Sequence, residues 1–129
     1  MIHLNELDHF GIEVTDLTRA RRFYCDLLGL GFVQDLGKDG ILLRCGERHI
    51  AIHLNRNLRP GSRSLIQNPL GRAHHAFKVS GPDFKRATDG FAREGIPCHG
   101  PVDWGDHDCL YFLDPDGNLI ELVWHRGQA

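Results

Sequence analysis

The sequence predicts an α+β fold built from two tandem βαβββ modules. One order of strand-like and helix-like segments runs through the 129 residues twice. Equivalent residues also keep a nearly constant offset: His9 and His74 lie 65 positions apart, and the helix-ending Gly29 and Gly95 lie 66 apart. A constant offset indicates internal repetition. We therefore expect a single domain over 1–129, with module 1 at about 1–55, a linker at about 56–71 and module 2 at about 72–129.

The first module reads as a strand, a helix and three short strands. Thr15 or Asp16 is a suitable N-cap for the helix, and Gly29 is suited to its C-terminal end. Apolar residues between these two ends recur at helical spacing. The strands before and after the helix are predicted at Leu7–Val14, Leu30–Leu36, Ile41–Arg44 and His49–Leu54.

The second module repeats this order after a long connection. Ser80 or Gly81, followed by Pro82, begins its helix, and Gly95 ends it. The last two strands form a β-hairpin around Asp114-Pro115-Asp116-Gly117, in which Asp, Pro and Gly occupy the positions that a β-turn favours. The strands of this module are predicted at His74–Val79, Ile96–Val102, Leu110–Leu113 and Leu119–Trp124.

The linker between the modules and the overall composition limit the kinds of molecule that this protein is expected to bind. The linker is rich in Pro, Gly and Arg, so it is either a solvated connection or an anion-contacting lid. A net charge of −2 gives no general attraction to nucleic acid or an anionic membrane, and no apolar run is long enough for a membrane span. Four cysteines without CxxC spacing predict reduced thiols and a cytoplasmic location.

Strand alternation predicts the faces on which two histidines and one carboxylate lie, and each of these side chains needs a polar partner, a cation or solvent. His9 lies opposite the apolar face of its strand, and His74 occupies the same position in the second module, whereas the neighbouring His75 is structural. Glu121 falls in an otherwise apolar strand, where a carboxylate requires a cation, a donor or solvent. An ordinary solvated face is one interpretation. The other is that His9, His74 and Glu121 converge as a two-histidine, one-carboxylate metal site.

Three segments resemble the vicinal oxygen chelate superfamily: DHFGIEVTDLTRARRFYCDLLGL, HHAFKV and YFLDPDGNLIEL. That superfamily includes glyoxalase I, extradiol dioxygenases, fosfomycin-modifying thiol transferases and bleomycin-binding proteins. The resemblance implies that the two modules form a cupped, incomplete mixed β-barrel. It further implies that His9, His74 and Glu121 are ligands of a divalent metal ion (Fe, Mn, Ni or Zn). It also implies a homodimer in which one chain supplies His9 and the other supplies His74 and Glu121.

The resemblance implies catalytic roles as well. Aligning the last strands at an offset of 68 places His53 on Glu121, at the position of an acidic ligand in glyoxalase I. His53 is thus expected to act as a fourth ligand or a base, and Glu121 to take part in proton abstraction. His49 and Tyr111 resemble proton-handling residues of extradiol dioxygenases.

The leading hypothesis is a metal-dependent enzyme that chelates adjacent oxygens of a small oxygenated metabolite, as a glyoxalase-I-like isomerase or lyase. An Fe(II) ring-cleaving dioxygenase is the alternative. A fosfomycin-type thiol transferase and a non-catalytic resistance protein that binds a small molecule are further alternatives.

Overall fold

The computed structural model describes residues 1–59 and 72–127. The chain divides into two compact units, Met1–Arg59 and Pro60–Ala129, and each contains one open, mixed four-stranded sheet with a helical segment. The predicted α+β class and the doubled βαβββ order are therefore confirmed. Most of the predicted linker, with its alternative as an anion-contacting lid, lies outside the described residues. Within those residues, no helix is long and apolar enough to cross a membrane.

Unit 1 is built on a sheet whose strand order is β1-β4-β3-β2. Strand β1 runs parallel to β4, and the other neighbours are antiparallel. From β1 the chain passes through the helical segment to the far edge strand and returns through two hairpins, which satisfies the crossover that parallel strands require. The strands are β1 (His9–Val14), β2 (Gly31–Asp35), β3 (Gly40–Cys45) and β4 (Arg48–Leu54).

The helical segment of unit 1 has the predicted ends but not the predicted type throughout. Asp16 caps it by accepting the N–H of Arg19 at 3.0 Å, and Gly29 follows its end at φ 77°. Helix α1 covers only Leu17–Arg21, and a π-helical segment covers Arg22–Leu27. Apolar spacing over so few residues does not distinguish the wider π turn from an α turn. Both segments contribute to the core, in which Tyr24 is fully buried.

Unit 2 repeats the arrangement with a longer helix. Its sheet order is β5-β8-β7-β6, with β5 parallel to β8. Helix α2 (Gly81–Arg93) is capped by Ser80, whose hydroxyl accepts the N–H of Asp83 at 3.2 Å. The helix packs on the sheet through two aromatic pairs, Phe84 with Trp124 and Phe91 with Phe112, at centroid distances of 5.9 and 4.9 Å. The strands are β5 (His75–Lys78), β6 (Cys98–Asp103), β7 (His107–Leu113) and β8 (Leu119–His125).

The hairpin turn between β7 and β8 forms where Asp, Pro and Gly predict it. The N–H of Gly117 donates to the Asp114 carbonyl at 3.0 Å, which closes the turn. The Asp114 carboxylate, only 4 % exposed, accepts the backbone N–H groups of Asp116 and Asn118 and the side-chain amide of Asn118 at 2.8–2.9 Å. A buried carboxylate is tolerated because these donors replace water. The turn therefore fixes the entry into β8, which carries Glu121.

Candidate metal centre

Glu121 lies on the face of the unit 2 sheet that points away from α2, called here the site face. Phe112 and Trp124 point toward the helix, and side chains alternate along a strand, so Tyr111 and Glu121 point the other way. Tyr111 and Glu121 are direct partners in the β7–β8 ladder, and Ala76 flanks Glu121 on β5. Glu121 is only 8 % exposed. The interpretation of Glu121 as a solvated glutamate is therefore wrong for this unit.

The Glu121 carboxylate has three polar neighbours within unit 2. The Nε2 atom of His74 lies 3.3 Å from its Oε2 atom. The Tyr111 hydroxyl and the Cys109 thiol each form a hydrogen bond with the carboxylate. The structure thus brings together two of the three predicted metal ligands, His74 and Glu121, with the predicted catalytic Tyr111 beside them.

The orientation of the His74 ring is fixed by the backbone. Its Nδ1 atom lies 2.7 Å from the carbonyl oxygen of Arg72. A carbonyl oxygen can only accept, so Nδ1 must carry a proton and donate it. In the neutral ring, Nε2 then presents a lone pair to Oε2 of Glu121. Two acceptors at 3.3 Å repel each other unless a positive charge lies between them, either a proton on Nε2 or a metal ion.

Tyr111 and Cys109 are held in their neutral forms. Burial, followed by the hydrogen bond to Glu121, raises the pKa of Tyr111 above its usual value. The same two causes raise the pKa of the Cys109 thiol to about 12. A thiol that stays protonated at neutral pH is a poor nucleophile. Both residues therefore donate hydrogen bonds to Glu121.

Two neighbours of this site could not be identified from sequence patterns. The Cys109 thiol contacts the site carboxylate, although no motif in the sequence indicates this contact. His99 pairs with Tyr111 across the β6–β7 ladder, and their ring centroids are 6.0 Å apart. His74 also contacts Tyr111 edge-on at 6.3 Å. The register of β6 against β7 identifies His99 as a neighbour of Tyr111, and the sequence pattern does not give that register.

His9, the third predicted ligand, belongs to unit 1. It begins β1, and its Nδ1 atom lies 2.6 Å from Oδ2 of Asp8. The hydrogen bond and the charge of His9 hold the pKa of Asp8 below its usual value. A carboxylate on Nδ1 orients an imidazole so that Nε2 is presented to a ligand. His49 is the register partner of His9 on β4.

The ladders place His53 differently from the alignment by offset. Phe10 pairs with Ile50 in unit 1, and its counterpart His75 pairs with Ile120 in unit 2. Ile50 therefore corresponds to Ile120, and Ala51 corresponds to Glu121, an offset of 70. By this register, the equivalent of Glu121 in unit 1 lies two residues before His53. His53 instead pairs with Glu13 on the exposed face of unit 1.

Across residues 1–59 and 72–127, no three His, Cys, Asp or Glu side chains of one chain form a cluster that could hold a metal ion. The arrangement within unit 2 is thus a two-ligand half-site, His74 with Glu121. The spacing of that pair tests whether it suits an ion. Two donors bound at about 2.0–2.2 Å with tetrahedral or right angles lie about 2.8–3.6 Å apart. The measured 3.3 Å fits this range, and imidazole with carboxylate suits a divalent cation.

Two open βαβββ sheets, with a histidine and a buried acid on one site face, define a glyoxalase-type fold. The family model described as "Glyoxalase/Bleomycin resistance protein/Dioxygenase superfamily" matches residues 6–122. The chain belongs to this superfamily, the vicinal oxygen chelate superfamily, whose members are mostly metalloenzymes.

Individual relatives have different activities. The chain is 30 % identical to the catechol-2,3-dioxygenase of Bacillus subtilis (strain 168) over 100 % of its own length, but it spans only 46 % of that enzyme. It is 28 % identical to glutathione transferase FosA of Serratia marcescens, covering 92 % of this chain and 80 % of FosA. A glyoxalase/dioxygenase from Nostoc punctiforme matches with a TM-score of 0.77 and 25 % identity, over 93 % of this chain and 90 % of that one.

Proposed function

We propose that the protein is a divalent-metal-dependent enzyme that binds adjacent oxygens of a small oxygenated molecule and catalyses an isomerase or lyase reaction of the glyoxalase I kind. The observation that carries the proposal is the contact between His74 and Glu121. The backbone holds the His74 ring with Nε2 toward a buried carboxylate, 3.3 Å away. A divalent cation removes the repulsion between these two acceptors and satisfies a carboxylate that is largely shielded from water.

We propose that His9 of a second copy of the chain supplies the third ligand. The Asp8–His9 pair presents Nε2 in the same manner as the Arg72–His74 pair. In this homodimer, each site combines His9 of one chain with His74 and Glu121 of the other. The three donors leave coordination positions for the adjacent oxygens of a substrate.

The residues around the ligands orient the site and move protons. When bound, the metal supplies Lewis-acid polarisation of a substrate oxygen. The Tyr111 hydroxyl donates to Glu121, holds the carboxylate in place and offers a proton donor at the site face. Glu121 is proposed to take part in proton abstraction, and His49, next to His9 in the ladder, to transfer protons. His53 lies four residues beyond His49, and its role as a base stays a prediction.

A ring-cleaving dioxygenase that uses Fe(II) is the second candidate. The 30 % identity to a catechol-2,3-dioxygenase supports it, although this chain spans less than half of that protein. In this reading the same ligands hold iron, and His49 and Tyr111 handle the protons.

The test begins with metal analysis of protein purified without a histidine tag, followed by loading with Fe(II), Mn(II), Ni(II) or Zn(II). Each loaded form is assayed with a 2-oxoaldehyde plus glutathione, with catechols under air, and with fosfomycin plus thiols. Isomerisation of the thiol adduct supports the leading proposal. Ring cleavage by the Fe(II) form alone supports the second candidate, and thiol transfer to fosfomycin overturns both. Failure to bind any metal after reconstitution overturns the metal-dependent function and favours a non-catalytic binding protein.

A further inference from the structure

A second pair of histidines lies at the far end of the β7–β8 ladder. His107 and His125 are direct register partners. They share the site face with Tyr111 and Glu121, because each lies four residues from one of those partners along its own strand. Four residues of strand span about 13 Å, so the pair is separate from the half-site at Glu121. The pair was not expected, because β7 begins at His107 rather than at the predicted Leu110.

The two rings are close enough to share an ion. Their centroids are 5.5 Å apart, and their planes are tilted by 35°. Two imidazoles bound to one ion through nitrogens at about 2.0–2.1 Å have centroids about 4.5–5.5 Å apart. The observed separation lies at the upper end of this range. Side chains of directly opposed residues are also the closest pairs that an antiparallel ladder offers.

One ring of the pair is oriented like His9. The Nδ1 atom of His107 lies 2.6 Å from Oδ1 of Asp106, as Nδ1 of His9 lies 2.6 Å from Oδ2 of Asp8. The chain thus contains two Asp-His dipeptides in which the aspartate holds Nδ1 and leaves Nε2 for a ligand. A carboxylate on the outer nitrogen fixes the tautomer and increases the basicity of the coordinating one.

The charges around the pair favour a cation. The segment around the pair carries three carboxylates, those of Asp103, Asp106 and Asp108, and one guanidinium, that of Arg126, so its net charge is −2. Arg126 contacts Asp103, Asp108 and the Gly105 carbonyl, so its charge is engaged with those partners. Asp106 is highly exposed and contacts His107.

We propose that His107 and His125 form a second binding site for a divalent transition metal ion such as zinc. Across the described stretches 1–59 and 72–127, no further His, Cys, Asp or Glu side chain completes a three-residue cluster. Water or an external donor therefore fills the remaining positions. The site takes an exchangeable ion, in contrast to the enclosed Glu121.

The experiment is a titration with Zn(II), using a chromophoric chelator as competitor, on the full chain carrying His74→Ala and Glu121→Ala. This background removes the half-site, so the result does not depend on the proposed function. We expect one zinc ion per chain, lost when His107→Gln or His125→Gln is added. Asp106→Asn should weaken binding by about 10- to 100-fold, while His3→Ala, a change at an exposed histidine, should have no effect. Unchanged zinc binding in the His107→Gln/His125→Gln variant overturns the proposal.

A second measurement covers the case in which a substitution disturbs folding. Zinc is added to the ¹⁵N-labelled background protein, and the imidazole nitrogen resonances are followed by NMR. Selective shifts of two histidine side chains, those of His107 and His125, support the site. Uniform small shifts, or none, overturn it.

Discussion

The two units follow one βαβββ plan, but their sheets carry different side chains at equivalent positions. By ladder register, Ala51 in unit 1 corresponds to Glu121 in unit 2, and Leu42 corresponds to Tyr111. Both units present a histidine near the start of their first strand. The scaffold is therefore repeated while the acid and its phenol donor are present in unit 2 only. The proposed site therefore combines His74 and Glu121 of unit 2 with a histidine from a first module.

The largest expected effect comes from replacing Glu121, because unit 1 has no acid at the equivalent position. Glu121→Gln keeps the size of the side chain but removes the charge that a divalent cation requires. In a chain that also carries His107→Gln and His125→Gln, which remove the second proposed site, we expect the affinity for Zn(II) or Ni(II) to fall by more than about 100-fold, beyond the 10- to 100-fold typical of an outer-shell partner. Competition with a chromophoric chelator measures the change. The matched control is Glu13→Gln, an exposed carboxylate of unit 1, and equal losses in the two variants would contradict the assignment of Glu121.

The aromatic layer under α2 provides the next comparison. Phe112 of β7 and Leu43 of β3 are both fully buried, and they occupy equivalent ladder positions. Phe112 also contacts Phe91 of α2 edge-on at 4.9 Å. We expect Phe112→Ala to lower the free energy of unfolding by about 4 kcal/mol and Leu43→Ala by about 3 kcal/mol, since the larger side chain leaves the larger cavity. Urea titrations of the two metal-free variants, at the same protein concentration, measure both free energies of unfolding. A larger loss for Leu43→Ala would refute this ranking.

The sequence carries the local part of this architecture. Asp16 and Ser80 begin the helices where capping chemistry predicts, and glycines with positive φ follow both helical segments. Each signal acts through hydrogen bonds within a few residues, so it is visible without tertiary structure. The pairing of His74 with Glu121 followed from strand alternation and the repeat. The fixed orientation of the His74 ring did not, because it depends on the position of the Arg72 carbonyl.

The register of unit 1 is the part that counting residues missed. The β3–β4 loop has two residues, Gly46 and Glu47, whereas the β7–β8 loop runs from Asp114 to Asn118. Insertions of unequal length change the offset from element to element. A strand that is slipped by two residues keeps every side chain on the same face, so alternation could not reveal the error. His53 and Ala51 satisfy the same pattern, and only the hydrogen-bonded ladder separates them.

The longer hairpin loop, between β7 and β8, gives the third prediction, which is a moderate loss of stability. Asp114→Ala removes the acceptor of two buried backbone N–H groups and one side-chain amide. We expect the free energy of unfolding to fall by about 2–3 kcal/mol because those donors lose their partner. Asp114→Asn keeps one acceptor oxygen and should recover part of the loss. A loss below about 0.5 kcal/mol for Asp114→Ala, in the same urea assay, would show that the turn does not depend on this carboxylate.

The smallest expected effect decides between the two candidates for the position equivalent to Glu121. His53 is exposed, so if the ladder gives the correct equivalence, His53→Ala should change zinc affinity by less than about threefold. Ala51→Glu places a carboxylate on a residue that is 5 % exposed, which should destabilise the metal-free chain because the charge is buried without a partner. Zinc should restore that stability by binding the added acid. Thermal unfolding of both variants, with and without Zn(II), makes the comparison. The offset of 68 is the correct alignment if zinc stabilises Ala51→Glu no more than the parent chain and His53→Ala loses zinc affinity about tenfold.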